Sequence, residues 1–474
     1  MEKQLSSRKT TILLICCMSL FIAGLDVTAV NVALPSIGDE LDAGVSGLQW
    51  TVDAYTVVLA SLLMFSGSIG DRFGRRRVFI TGLTVFSLAS LLCSLAPSIE
   101  ALVAFRVLQA VGGSMLNPVA MSIITNTFTD PRERAQAVGI WGAGFGISVA
   151  LGPVLGGVLT SGIGWRSIFW INIPVGLAAI ALTLRYIPES RAPRPRRFDP
   201  VGQALVIVLL ATLTFGIIEA PALGWSSPVI VAAFAAAAVA LTGLLLYEPR
   251  RREPLLDLRF FRSIPFASAF VISVAAFAAF GGFLFLNTLY LQQERGLSPV
   301  EAGLATVPLA LMLVIMSPLS GRIVGRRGPR VPLVIAGAGL VTAYVMLTGL
   351  APDSPLPWLL AAYAIFGVGF GFVNAPITNA AVSGMPRAQA GVAAATASTS
   401  RQIGLTLGVA IVGAIVTSHL AEPAAISAAG QPAWWTLAAC GLLVLVLGFA
   451  ATSRLATASA QRTAAELNPE ALVV

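Results

Sequence analysis

Charge is scarce in this chain. Only 11% of its 474 residues are charged, whereas a soluble domain carries about 25%. Hydrophobic residues make up 56% of the chain, and its mean hydropathy is +0.85. A soluble protein of this composition would leave a very large apolar surface in water. The composition therefore predicts a protein whose solvent is the lipid bilayer.

Histidine and cysteine are nearly absent as well. The single histidine is His419, and the four cysteines all lie inside apolar runs without a CxxC pair. This excludes a disulfide framework and makes a metal or haem site an unlikely reading of the pattern. The sequence also lacks a GxxxxGK[ST] nucleotide loop and a Ser/His/Asp set. We therefore expect no metal, no cofactor and no enzymatic activity.

Long apolar runs fill most of the chain. A helix needs about 20 apolar residues to cross a bilayer core of about 30 Å. Because the runs lack the alternation of barrel strands, helices are the predicted spanning form. The first run is too long for a signal peptide and leads into further spans, so we expect it to be retained. The fourteen predicted spans are 11–34, 48–69, 78–97, 101–125, 135–161, 165–187, 201–220, 227–247, 264–291, 300–321, 331–350, 356–381, 391–418 and 433–452.

The placement of arginine predicts the orientation. If the N-terminus is inside, all but four of the 30 lysines and arginines fall in inside segments. Arg166 and Arg295 fall in outside loops, and Arg106 and Arg401 fall within spans. This positive-inside distribution predicts that both termini are inside. It also accounts for the net charge of +8, so we expect no nucleic-acid partner.

One short loop sequence occurs twice. The stretch "SGSIGDRFGRR" at 66–76 shares six residues with "SGRIVGRRGPR" at 320–330, at an offset of 254. Both follow a predicted outward-to-inward span, which indicates two parallel halves. The offset leaves room for six helices in each half and two extra helices. The predicted domains are an N-terminal six-helix bundle (1–187), two extra helices with basic flanks (188–262) and a C-terminal six-helix bundle with a short cytoplasmic tail (263–474).

The first of these loops resembles the signature between the second and third helices of the major facilitator superfamily. Further stretches resemble motifs of its fourteen-span drug:proton antiporters. They are "LDVTAVNVALP" (25–35), "LVAFRVLQAVGG" (102–113), "LGPVLGGVL" (151–159), "GWRSIFWINIPVG" (164–176) and "SRQIGLTLGVAI" (400–411). The resemblance implies an all-α polytopic fold of two six-helix bundles plus two extra helices. It also implies export of drugs or antibiotics in exchange for protons, by alternating access, in the cytoplasmic membrane of a bacterium.

Three ionisable residues within spans are candidates for proton coupling, because a charge in a membrane span is costly and is usually functional. Asp26, Asp53 and Arg106 each fall about 8–12 Å below the outer surface at about 1.5 Å per residue. We predict that Asp26 carries the coupling proton with Arg106 nearby. Structural roles are the alternatives: a hydrogen bond for Asp26, a position near water for Asp53, and a helix bridge for Arg106 with Gln109.

Polar residues within or near spans are the candidates for a substrate cavity. Arg401 could meet an anionic or polar substrate group, or it could brace two helices. The predicted cavity residues are Asn31, Tyr55, Gln109, Asn117, Asn287, Tyr290, Asn374, Asn379, Arg401 and Gln402. We expect the bound molecule to be small and amphipathic.

Two glycine-containing motifs are predicted to take part in the conformational change of transport or in closing the protein against leakage. In the fifth span, Gly152, Gly156 and Gly157 predict close helix contact and Pro153 predicts a bend. In the loop at 66–77, Asp71 is predicted to cap the amides that begin the third helix, either as part of a cytoplasmic gate or as a simple loop anchor. The predicted gate loop residues are Gly67, Asp71, Arg72, Gly74, Arg75 and Arg76.

The resemblance implies a transporter in the lipid bilayer that handles an amphipathic molecule and protons. The sequence does not give its oligomeric state, and we expect a monomer. A dedicated transporter of one endogenous metabolite is the alternative on the same fold. A membrane receptor without transport activity is a further alternative.

Overall fold

A computed structural model describes residues 2–192, 198–251, 253–383, 390–419 and 426–467. In these ranges the chain is helical, with short turns between helices. The helices are α1 (Glu2–Leu41), α2 (Val45–Phe73), α3 (Arg75–Ser94), α4 (Ile99–Thr127), α5 (Pro131–Gly162), α6 (Ser167–Trp170), α7 (Asn172–Tyr186), α8 (Pro200–Leu223), α9 (Pro228–Tyr247), α10 (Ile264–Leu289), α11 (Pro299–Ala305), α12 (Val307–Arg327), α13 (Arg330–Leu347), α14 (Leu356–Gly371), α15 (Asn374–Val382), α16 (Ala390–His419), α17 (Ile426–Ala450) and α18 (Arg454–Leu467). Two 3₁₀ turns (Glu248–Arg250 and Leu258–Arg262) and one π-helical turn (Tyr290–Glu294) complete them.

Fourteen helical segments among the described residues are long and apolar enough to cross a membrane. They coincide with the fourteen predicted runs, which confirms the predicted fold class. The largest differences lie at the first and last spans. The first continues to Leu41 through the polar stretch after residue 34, and the last begins at Ile426 instead of 433. Both extensions consist of residues whose low hydropathy hides them from a hydrophobicity count.

The turn that joins α2 to α3 recurs between α12 and α13. Gly74 ends α2 with a φ of +117°, and Gly328 ends α12 with a φ of +75°. Residues with a side chain rarely adopt this left-handed backbone, so glycine is needed at both turns. The two glycines occupy equivalent places in the repeated loop sequence. The repeat read from the sequence is therefore matched by a repeated backbone conformation.

The chain forms two compact units. One comprises Met1–Gln203 with Gly296–Leu304, and the other comprises Ala204–Arg295 with Ala305–Val474. The helices α8, from Ala204 onward, and α9 thus group with the second unit. The three domains predicted from the sequence, 1–187, 188–262 and 263–474, group the chain by its spans, and this division stays a prediction.

Each unit has its own packed interior. In the first, Phe79 and Phe86 of α3 lie fully buried with Leu116 of α4 and Tyr55 of α2. In the second, aromatic rings from α10, α13, α14 and α17 stack on one another, and the ring centroids of Phe280 and Phe370 are 4.4 Å apart. Because lipid tails are as apolar as these side chains, close packing and polar contacts hold such helices together.

One helix was not predicted. The segment after the last span was expected to be a short tail, whereas it forms α18. Ser459 Oγ of α18 accepts a hydrogen bond from the amide of Ile264 at 3.0 Å, and Glu466 pairs with Arg262 at 2.8 Å. The helix thus docks against the beginning of α10. Its sequence is alanine-rich and polar, so a count of long apolar runs passes over it, although Ala456, Ala460 and Thr463 are buried at helical spacing.

Candidate functional site

Asp26 of α1 and Arg106 of α4 form an ion pair inside the first unit. Arg106 Nη1 donates to Asp26 Oδ2 at 2.5 Å, and both side chains are only 1% exposed. Arg106 Nε also donates to the carbonyl oxygen of Thr51 at 3.0 Å. A charge inside a membrane span needs such partners. The structure thus brings together two of the three residues that were predicted to couple protons.

Amide side chains complete the surroundings of the Asp26 carboxylate. Gln109 Nε2 donates to Asp26 Oδ1 at 2.8 Å, and Asn172 Nδ2 donates to the same oxygen at 3.2 Å. Both amides also donate to Ser90 Oγ, at 2.9 and 3.3 Å. The carboxylate therefore accepts hydrogen bonds from three side chains, counting Arg106.

Asn172 and Ser90 were missed by the sequence reading. Asn172 begins α7 inside the quoted motif at 164–176, and that motif was the available signal for it. Ser90 lies within the apolar run of α3, and nothing in its sequence surroundings distinguishes it from other membrane serines. Gln109 was predicted as a cavity residue, but the structure places it in the hydrogen-bond network of Asp26.

The ring of Tyr55 covers the guanidinium of Arg106. The Arg106 Cζ lies 4.3 Å from the centroid of this ring and 5.9 Å from that of Phe169. The aromatic face attracts the cation and keeps water away from the pair. The Tyr55 hydroxyl is buried and has no hydrogen-bond partner in the described chain. Tyr55 thus contacts the ion pair through its ring and retains a free polar end.

Asp53 lies two residues before Tyr55 on α2, and its surroundings differ from those of Asp26. Its side chain is buried, and Oδ1 accepts a hydrogen bond from Thr56 Oγ1 at 3.3 Å. Its Oδ2 has no hydrogen-bond partner, and no cation lies within ion-pair distance among the residues described. Asp26 and Asp53 are thus both buried in the first unit, and of these two acids Asp26 is the one that pairs with a cation among the described residues.

Two predicted cavity asparagines of the first unit keep free acceptors. Asn31 Nδ2 donates to the carbonyl of Val27 at 2.7 Å, while its Oδ1 is buried without a partner in the described chain. Asn117 Oδ1 is likewise buried without a partner there. Buried polar atoms are normally hydrogen-bonded, and exceptions call for an explanation such as a ligand or water. These two atoms are consistent with a polar contact to a bound molecule.

Two predicted cavity residues of the second unit, one in α10 and one in the π-helical turn that follows it, have structural partners. The Tyr363 hydroxyl donates to Asn287 Oδ1, and the Tyr290 hydroxyl donates to the carbonyl of Ala351 at 2.7 Å. Asn379 of α15 is exposed on the surface of its helix. These contacts give Asn287 and Tyr290 roles within the helix packing.

The partners of Arg401 of α16 among the described residues are neutral. Its Nη1 donates to Asn374 Oδ1 at 3.0 Å, and its Nη2 donates to Ser398 Oγ at 3.1 Å. The neighbouring Gln402 has a buried amide oxygen without a partner in the part of the chain that the structure describes. Three of the predicted cavity residues, Asn374, Arg401 and Gln402, thus lie together in the second unit.

The predicted gate loop has a different cap from the one expected. Asp71 lies in the last turn of α2 and accepts from Arg75 Nε and Nη2 at 3.0 and 2.8 Å. The amides that begin α3 are bonded by Glu189 instead, whose carboxylate accepts from Arg76 N at 3.1 Å and from Arg77 N at 3.3 Å. Asp71 precedes the turn at Gly74 and faces Arg75, so it does not cap α3.

The segment that carries Glu189 is fastened to this loop along its length. We call residues 187–192 the strap. The amide of Arg75 donates to the carbonyl of Ser190 at 2.9 Å, and the amide of Ala192 donates to the carbonyl of Asp71 at 3.0 Å. This contact could not be predicted from the sequence, because the strap lies more than a hundred residues after the loop.

The remaining loop residues hold neighbouring parts of the first unit. Arg76 Nη2 donates to the carbonyl of Leu184 at 2.7 Å, and the Arg72 guanidinium lies 4.8 Å from the ring centroid of Phe198. A Cβ added at Gly67 would be an ordinary 3.5 Å from Pro118. Gly67 is therefore not required for a close approach, whereas an added Cβ at Gly74 would lie 2.6 Å from Glu189 Oε1.

The glycines of the motif in α5 face α1 and the start of α11. A Cβ added at Gly152 would overlap Thr28 Oγ1, and one at Gly156 would lie 2.9 Å from Ala29 Cα. At Gly157 it would overlap the carbonyl oxygen of Pro299, which belongs to the same unit. Pro153 lies within the continuous helix α5. The motif thus packs directly on the turn of α1 that follows Asp26.

A comparison with known protein families identifies the chain. The family model described as Major Facilitator Superfamily matches residues 16–409. The chain belongs to the Major Facilitator Superfamily. It is therefore a multi-pass membrane protein of a transporter family and not of an enzyme family.

Curated relatives within the superfamily match most of the chain. It is 36% identical over 403 residues to the Multidrug resistance protein Stp of Mycobacterium tuberculosis (strain CDC 1551 / Oshkosh), covering 85% of this chain and 75% of that protein. It is 36% identical over 419 residues to the Tetracenomycin C resistance and export protein of Streptomyces glaucescens, covering 88% and 78%. These relatives come from bacteria.

Solved structures share the fold at low sequence identity. A bacterial homologue of the human lysosomal transporter Spinster aligns with a TM-score of 0.60 and 18% identity, covering 98% of both chains. The nucleoside transporter NupG aligns with a TM-score of 0.67 and 12% identity, covering 94% of this chain and 100% of the other. At this identity the likeness establishes the major facilitator fold.

Proposed function

We propose that this protein exports amphipathic small molecules, drugs or antibiotics among them, in exchange for protons. The names of its relatives, a multidrug resistance protein and an antibiotic resistance and export protein, support the export of such molecules. The buried Asp26–Arg106 pair is the single observation that carries the proton exchange. The protein acts as a monomer in the cytoplasmic membrane of a bacterium.

The ion pair has two states that a proton can select. With Asp26 ionised, its carboxylate binds Arg106, Gln109 and Asn172. A proton on Asp26 removes half of the pair and leaves the Arg106 charge without its partner, which is unfavourable in a dry interior. Bound substrate favours the ionised pair, and a proton from outside favours the broken one. Proton and substrate therefore compete, as exchange requires.

The contact between α1 and α5 conveys this change to the rest of the bundle. Thr28 lies two residues after Asp26 and fills the space that Gly152 leaves open. Closely packed helices shift between discrete arrangements because they have no free volume for gradual change. A shift of α1 on protonation of Asp26 therefore moves α5, whose rearrangement contributes to alternating access.

The gate loop controls the predicted cytoplasmic end of the first unit. Asp71 holds Arg75 across the turn, and Glu189 holds the amides that begin α3. An acid at the N-terminus of a helix is favoured both by hydrogen bonding and by the helix dipole. The strap and the loop thus form a latch, and opening this latch is a step of the transport cycle.

Transport into proteoliposomes tests the proposal. With an acidic lumen and the membrane potential clamped at zero, wild-type protein accumulates the amphipathic dye rhodamine 123 above the level of protein-free liposomes. A protonophore abolishes the accumulation. Uptake that is independent of the pH gradient would overturn the proton exchange. The absence of uptake across a panel of amphipathic drugs would overturn the export function.

A further inference from the structure

We propose that Arg401 forms an anion-recognition subsite in the second unit and binds the carboxylate or other anionic group of the transported molecule. The inference rests on the proposed function, because it names a class of substrate for the exporter. The favoured substrates are amphipathic molecules that bring their own negative charge, zwitterions included.

The first argument is the lack of a counter-ion. Arg401 lies within the span Ala395–His419, yet no carboxylate comes within ion-pair distance of it in the described chain. Asn374 and Ser398 occupy two of the five N–H donors that a guanidinium carries. Arg106 provides the comparison, because it lies in an equally apolar span and receives a carboxylate from Asp26.

The second argument is the break in the neighbouring span. The span Leu356–Val382 consists of α14, which ends at Gly371, and α15, which begins at Asn374. Irregular backbone at membrane depth is tolerated where it is enclosed in protein or lines a polar cavity. The N-terminus of a half-helix carries partial positive charge and attracts anions. Asn374, the first residue of α15, is the residue that contacts Arg401.

These two arguments point to the same ligand chemistry. The guanidinium and the beginning of α15 both supply positive charge, and Asn374 adds an amide group beside the guanidinium. A charge within a span that is held only by neutral groups is unfavourable, whereas an ionic partner with fitting hydrogen bonds compensates it. A substrate anion supplies the partner that the described residues lack at this position.

Two dyes with one chromophore give a matched test. Rhodamine 110 carries a free carboxylate, and rhodamine 123 is its methyl ester. Binding of each dye to the purified full-length protein in detergent is measured by fluorescence anisotropy. Wild-type protein should bind the acid about tenfold more tightly than the ester, a difference of about 1.4 kcal/mol, because the carboxylate forms a charge-assisted hydrogen bond with Arg401.

Substitutions at the subsite should change only the binding of the acid. Arg401→Gln should remove the preference and leave the ester's Kd unchanged, whereas Arg401→Lys should retain part of it because it keeps the charge but not the planar fork. Asn374→Asp places a carboxylate beside the guanidinium. It should therefore remove the preference even where Arg401→Gln fails to fold. Arg322→Gln, at an exposed arginine, serves as the matched control and should bind both dyes like the wild type.

The outcomes separate this subsite from the proposed function. Equal binding of the two dyes by wild type, or an acid preference that survives both Arg401→Gln and Asn374→Asp, would overturn the subsite. Weaker binding of both dyes by equal factors in Arg401→Gln and Asn374→Asp would identify Arg401 as a structural brace and also overturn it. Gradient-driven uptake of rhodamine 123 is measured on the same preparation. If this uptake is absent while the preference for the acid remains, the proposed export function is overturned and the anion site is not.

Discussion

Asp26 and Arg106 lie 80 residues apart in the chain and meet as a buried ion pair with 2.5 Å between carboxylate oxygen and guanidinium nitrogen. Gln109, on the helix turn after Arg106, joins both of them through its amide. Because donors from α4 and α7 meet at a carboxylate on α1, its protonation affects all three helices together. This arrangement is the physical basis for treating Asp26 as the residue that couples protons to transport.

Breaking the pair from one side should destabilise the protein more than removing it altogether. Arg106→Gln leaves Asp26 without its cation, and the loss of one partner of a buried pair costs about 3–5 kcal/mol. The double variant Asp26→Asn/Arg106→Gln should recover most of the lost Tm in detergent-solubilised protein. Arg322→Gln is the control and should melt like the wild type. A double variant that melts lower than both single variants would contradict a direct pair.

Asp53→Asn should reduce gradient-driven uptake much less than Asp26→Asn. Asp53 has no cation partner in the described chain, so the change breaks no ion pair and leaves the Asp26 network intact. Gradient-driven uptake of rhodamine 123 should continue in Asp53→Asn and stop in Asp26→Asn. If the two variants exchange these behaviours, Asp53 is the coupling residue and the assignment is wrong.

Glu189→Ala should slow transport without weakening substrate binding. The change removes the acceptors of the Arg76 and Arg77 amides, and the loss of a helix cap costs about 1 kcal/mol. Asp71→Ala removes only the side-chain pair with Arg75 and should have a smaller effect on the uptake rate. The comparison uses initial uptake rates and the Kd of rhodamine 123 for both variants. If Glu189→Ala weakened rhodamine 123 binding and slowed uptake by the same factor, the strap would be a structural anchor for the loop and not part of a gate.

Gly152→Ala should impair transport, and Gly146→Ala on the same helix should not. A Cβ at Gly152 would overlap Thr28, whereas at Gly146 it meets open space. Overpacking of this kind costs about 1–3 kcal/mol, so the Tm should fall and uptake should drop several-fold. Equal behaviour of the two variants in uptake and melting would show that the close contact between α1 and α5 is not needed.

The sequence predicts the fold because the membrane imposes a simple rule on it. Every span must be a long apolar helix, so the fourteen runs could be counted directly, and the arginines between them gave the expected orientation. α18 escaped this count, since it lies outside the apolar runs and is recognised by its contacts with Arg262 and Ile264. Its buried residues are alanines and a threonine at helical spacing, which a search for long apolar runs does not detect.

The candidate site was predictable only in part, for a related reason. Asp26, Arg106 and Gln109 stand out because charged and amide side chains are rare in spans. Ser90 looks like any other membrane serine, and Glu189 looks like part of a basic linker. Their roles follow from residues that the fold brings near them from distant parts of the chain. No single stretch of sequence contains that information.

Proton release on substrate binding tests the central role of Asp26 most directly. Rhodamine 123 is added to purified protein in weakly buffered detergent solution containing a pH-sensitive dye. The wild type and Asp39→Asn, an exposed acid at the end of the same helix, should release protons on binding. Asp26→Asn should bind the dye and release none. Proton release by Asp26→Asn equal to that of the wild type would contradict the account.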